Sequence, residues 1–79
     1  MITDYLREAL RVARYEKLED GTFFAEVPQL KGVLANAQTL EACRDQLAEV
    51  IEEWILVRVA RGLDIPPLGD CRIEVKQVA

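Results

Sequence analysis

The stretch from Thr39 to Gly62 restricts the possible folds of this chain more than any other feature. Thr39 is a favoured N-cap residue, Glu41 places a carboxylate in the first turn, and Gly62 stands where a left-handed C′ residue is needed. Between them, residues 40–61 predict a single helix about 33 Å long. Its expected core-facing stripe is Leu40, Cys43, Leu47, Val50, Ile51, Trp54 and Val57. Pro66 and Pro67 prevent any continuation. In a chain of 79 residues, read as one domain over 1–79, most of what remains must form the layer that buries this stripe.

The rest of the sequence suits that task. Ile2, Tyr5, Leu6, Ala9, Leu10 and Ala13 recur at helical spacing, with Asp4, Arg7, Glu8 and Arg11 between them. This predicts a short amphipathic helix over 2–13, capped by Thr3 and too short to be stable without docking. From Arg14 the period shortens. Residues 14–19 and 22–27 flank Asp20-Gly21, a pair suited to a tight hairpin turn in which both central residues reach positive φ. Phe23, Ala25 and Val27 should point to one side of that strand, and Phe24 and Glu26 to the other. Pro28 ends its pairing, Gly32 marks the next turn, and residues 33–37 read as a third strand. After the long helix, Cys71, Ile73 and Val75 alternate with Arg72, Glu74 and Lys76, as in a half-buried fourth strand. The expected order is α-β-β-β-α-β, an α+β chain with one sheet covered by the long helix.

Composition excludes several function classes. No apolar run approaches the ~18 residues of a membrane span, and the charged N-terminus lacks the apolar core of a signal peptide. A cytoplasmic protein with reduced thiols is expected. A net charge of −4 argues against phosphate-dominated binding of nucleic acid. The absence of histidine removes the usual neutral-pH base and the commonest metal ligand. Cys43 and Cys71 lack any CxxC partner, so both read as small apolar residues rather than zinc ligands. Glu16, Glu19, Asp20 and Glu26 near the hairpin could hold Mg²⁺ in principle, but no Lys or His constellation accompanies them. No phosphate-binding glycine loop or nucleophile motif is present. No catalytic residue, metal or cofactor is expected, and the chain does not read as an enzyme.

Two surface features remain. Glu41, Asp45, Glu49 and Glu53 fall at i, i+4, i+8 and i+12, with Glu52 beside them. Like charges at this spacing repel, so the row is either a solvated face or a docking face for a basic partner whose cations relieve the repulsion. Farther along, Trp54-Ile55-Leu56-Val57 is apolar all round the helix. Ile55, Leu56 and Val59 must therefore be covered by the N-terminal helix or by a second subunit, and a homodimer is the expectation for so small a core.

The residues from Asp20 to Val33 (DGTFFAEVPQLKGV) resemble the N-terminal signature of HicB-family antitoxins: an acidic-Gly turn, an aromatic strand and a Val-Pro-x-Leu-x-Gly turn. Thr39-Leu40-Glu41-Ala42 is similar to that family's helix entry, and Trp54, Gly62 and Ile65-Pro66 to its helix end. The resemblance spans about residues 14–76 and leaves 2–13 as a helical extension of the kind found in short HicB-like members. It implies a partial RNase H-like β-β-β-α-β unit with the last strand beside the first. It also implies a small basic HicA-type RNase as partner, inhibited by occlusion of its active site. On that reading the partner contact falls on Glu41, Asp45, Glu49 and Glu53 and on Val27, Pro28, Leu30 and Gly32. Gln29 stands where an acidic residue is frequent. No C-terminal DNA-binding module is expected before Ala79, so no direct DNA binding is carried over. An orphan oligomer of the same fold, without a toxin, is the alternative.

Overall fold

The computed structural model describes residues 2–73. Helix α1 (Ile2–Val12) leads into three strands, β1 (Arg14–Lys17), β2 (Phe23–Glu26) and β3 (Leu34–Ala37), followed by helix α2 (Leu40–Arg61). The strands form one antiparallel sheet in the order β1-β2-β3. Helix α2 lies over β2 and β3 and not over β1, while α1 packs beside α2. The chain is thus α+β, as its periodicities predict.

Local chemistry sets both ends of α2. The Thr39 hydroxyl accepts from the Ala42 N–H at 3.0 Å with extended backbone at the cap. Gly62, at φ +66°, closes the other end: its N–H reaches Val59 O at 3.2 Å, and the Leu63 N–H reaches Arg58 O at 2.8 Å. These two bonds form a Schellman motif, which only a left-handed C′ residue permits without strain. Thr3, by contrast, is not a cap, because α1 is already helical from Ile2.

The first hairpin also differs from its expected form. Only Gly21 has positive φ, at +87°. Leu18 N–H donates to Thr22 O and Gly21 N–H to Leu18 O, giving a three-residue loop that ends in a left-handed glycine. Asp20 stays out of the left-handed region because its carboxylate is engaged forward, accepting from the Thr22 N–H at 2.9 Å and hydroxyl at 2.6 Å. The backbone turn from Leu18 to Gly21 takes residues 18 and 19 out of the expected first strand, which ends at Lys17.

The sheet floor is low. Tyr15, Ala25 and Ala35 stand opposite one another across the three strands, and both alanines are fully buried. Their small side chains let α2 approach closely: the Cys43 thiol lies 3.5 Å from Phe23 O and 3.9 Å from Ala35 O. Cys43, Leu47, Ile51 and Ile55 are the buried residues of α2. They step by four, so the buried line turns progressively around the helix, by about 120° from first to last. The cause is a change of cover. The first half of α2 faces the sheet, whereas the second half faces α1, where Tyr5 and Ala9 are fully buried. Leu40 and Val57, expected on the stripe, are therefore left exposed.

After α2, Ile65 and Leu68 return to the core, and the Tyr5 hydroxyl donates to Pro66 O. The chain then turns at Gly69, and Cys71 pairs with Leu68 through 2.8 and 2.9 Å bonds in an isolated bridge. Within residues 71–73 there is no fourth strand beside β1; Glu74, Val75 and Lys76 lie outside the described residues. Cys43 and Cys71 are unbridged thiols, the first buried and the second half-buried.

Candidate functional site

The exposed side of α2 carries a run of carboxylates. Glu41, Asp45, Glu49, Glu52 and Glu53 are all exposed. Among the described residues the one salt bridge is elsewhere, between Arg11 and Glu8 on α1, where the guanidinium holds the Glu8 carboxyl below its usual range. No carboxylate of the row has a salt-bridge partner among the described residues, although Arg44 shares a hollow with Glu41, so its mutual repulsion is relieved mainly by solvent screening. Arg58, on the same helix, is otherwise engaged: it stacks over the Trp54 ring at 4.7 Å and donates from Nε to Asp64 O at 2.6 Å.

Beyond Glu53 the same side becomes apolar. At about 100° per residue, Glu41, Asp45, Glu52, Leu56 and Val59 fall within about 60° of one another around the α2 axis. Leu56 is 63% exposed and Val59 43%, so the outer face runs from acidic to apolar along its length. Ile55 does not belong to this patch. It is 1% exposed, seated against α1, and contributes to the core rather than to an oligomer surface. Helix α1 covers Ile55 but stops short of Leu56. The hollow of about 210 Å³ left between the helices is lined by Thr3, Leu6, Glu52, Ile55 and Leu56.

The turn joining β2 to β3 divides likewise. Val27 and Leu30 are 1% exposed, held by Val27 N–H to Val33 O at 3.1 Å and Leu30 N–H to Val27 O at 2.9 Å. Their side chains complete the core and are not available to a partner. Pro28, Gln29, Lys31 and Gly32 form the exposed rim of the turn, with Gly32 at φ +86°.

The sheet face away from α2 is the side to which the alternation assigns Phe24 and Glu26. Arg14, Glu26 and Leu34 line up across it, as do Glu16, Phe24 and Asn36. Glu16 and Glu26 lie together on this face, around a depression of about 320 Å³ with Arg14, Tyr15 and Phe24. Among the described residues no three Cys, Asp or Glu side chains converge to hold a metal ion. Leu34 is 51% exposed, and its position on β3 next to buried Val33 and Ala35 is the alternation that could have revealed it. A second hollow, of about 290 Å³, lies between Tyr15 on β1 and Leu40, Glu41 and Arg44 at the start of α2. Burial pushes the Cys43 thiol up, away from the reactive thiolate. Among the described residues no helix is long and apolar enough to cross a membrane.

A three-stranded sheet under one long helix, with an acidic outer face, defines a small α+β module. Residues 4–66 match the UPF0150-like family model, and the chain belongs to that family, the short HicB-like family. Among solved structures it is similar to the crystal structure of TTHA0281 from Thermus thermophilus. The two are 40% identical, with a TM-score of 0.88 over 96% of this chain and 95% of that one. No curated protein matches the chain significantly.

Proposed function

We propose that this protein is a HicB-like antitoxin that neutralises a small, basic HicA-type RNase by covering its active site, without catalysis of its own. The observation that supports this reading is the exposed row Glu41, Asp45, Glu49 and Glu53 on a member of the short HicB-like family. Uncompensated carboxylates on a rigid helix are suited to steering and holding a cationic surface. The exposed Pro28 and Gly32 of the β2–β3 turn would add contacts beside them. The protein would act in the cytoplasm as a homodimer, its fold a partial RNase H-like unit. The decisive experiment is affinity capture of the tagged chain from its native cells, followed by identification of what binds. A stoichiometric small basic protein that cleaves RNA once released supports the antitoxin reading; recovery of the bait alone from expressing cells refutes it.

A second reading is favoured by the exposure of Leu56 and Val59: an orphan oligomer of the same fold with no toxin. Sedimentation across a concentration series tests it, and a strict monomer at millimolar concentration removes it.

A further inference from the structure

We propose that the outer edge of β3 accepts an extended, basic polypeptide segment as an added strand of the sheet. The inference rests on the reading above that the partner is cationic, and it names the part of the fold that would hold it.

The ladder phase identifies the atoms. Val27 N–H bonds to Val33 O, so residues 27, 25 and 23 form the hydrogen-bonded pairs with 33, 35 and 37. Leu34 and Asn36 alternate with these, and their backbone N–H and C=O groups point away from β2, where the described residues provide no neighbouring strand. An edge of this kind is a template for another strand unless charge, proline or a bulge blunts it. β3 is Leu-Ala-Asn-Ala, with none of these devices. The opposite edge differs, because β1 contains Arg14 and Lys17, which would repel a cationic segment.

Charge selects the occupant. α2 packs on β3, and its exposed residues include Asp45, Glu49 and Glu53, so a strand added at this edge runs beside an acidic helix. Lysine or arginine side chains alternating on that strand would lie in the field of carboxylates that have no salt-bridge partner among the described residues. A second copy suits the edge less well. A two-fold pairing of β3 with itself, centred on Ala35, would bring two such acidic helices side by side and add to the repulsion.

The test is amide hydrogen exchange of the full chain, read at Leu34 and Asn36, with a short capped peptide of alternating lysine and valine at millimolar concentration. Exchange at both amides should slow roughly tenfold or more. A peptide N-methylated at alternate residues keeps its charge but cannot form the ladder, and should give no protection. The glutamate-valine peptide should also fail. Equal protection by the N-methylated peptide, or none by any peptide, overturns the proposal. So does protection of Leu34 and Asn36 in the protein alone, either rising with its concentration, which assigns the edge to a second copy, or independent of it, which assigns the edge to the chain itself. Because no toxin enters this assay, its failure is distinct from failure to capture an RNase.

Discussion

The hydroxyl of Tyr5, in the first turn of α1, donates to the backbone carbonyl of Pro66, beyond the end of α2. This one bond links the two ends of the sequence across a side chain that is fully buried. Tyr5→Phe keeps the ring and loses the bond, and should lower stability by about 1 kcal/mol in urea unfolding. Burial raises the Tyr5 pKa above its ordinary value of 10.0, with the charge of Arg58 acting in the opposite direction. A proton held more tightly when folded means that this stabilisation is complete below the unfolded pKa. It is lost as pH rises through 10.0 towards the folded value. The wild-type protein should therefore lose stability in that alkaline range, and Tyr5→Phe should lose less over the same range. Equal slopes for the two proteins would exclude Tyr5 as the responsible group.

Ala35 sets how closely α2 approaches the sheet. It is 1% exposed beneath the Cys43 thiol, so there is no room for additional methylenes. Ala35→Leu should destabilise by about 1–3 kcal/mol through overpacking. Leu34→Ala, at the adjacent but outward-facing position, should stay within about 0.5 kcal/mol. Comparable losses from both substitutions in chemical denaturation would contradict the register of β3.

Ile55 and Leu56 are neighbours with opposite roles. Ile55→Ala should cost about 2–5 kcal/mol, because it leaves a cavity where α2 meets α1. Leu56→Glu should leave the unfolding midpoint nearly unchanged and shift any dimer towards monomer in sedimentation. If Leu56→Glu unfolds the chain instead, the surface assignment of that residue is wrong.

For the acidic row, Asp45→Lys combined with Glu49→Lys should weaken binding of a captured basic RNase by roughly tenfold at low ionic strength, mostly through slower association. The difference should shrink as salt rises towards physiological strength, where the Debye length is about 8 Å. Binding that is indifferent to this substitution at every salt concentration would remove the row from the contact.

How much of this was legible in the sequence depended on the range of the interaction. The Thr39 cap, the Gly62 terminus, the amphipathic spacing of Tyr5 and Ala9, and the inward phase of Ala25 and Val27 all depend on neighbours a few residues away. Each was read correctly from the chain alone. The family resemblance at residues 20–33 and 39–42 rested on the same local signals. The surfaces are less legible: the acidic row is exposed, as its spacing suggests, but Val27 and Leu30, expected as contacts at the β2–β3 turn, have buried side chains. An apolar residue in a turn motif looks the same whether it faces a partner or its own core.

Local chemistry along the chain therefore defines the order of the elements and both ends of α2, with the short-range bonds that close them. Tertiary structure alone decided which apolar residues of α2 are core. A helix that is apolar all round near Trp54 has no preferred face until something packs against it. The sheet covers the first half and α1 the second, so the buried line turns from Cys43 to Ile55 and leaves Leu40, Leu56 and Val57 in water. That β3 has no second neighbour among the described residues is a tertiary fact of the same kind, and the outward direction of the Leu34 and Asn36 amides follows from their pairing phase with β2 and not from their identity.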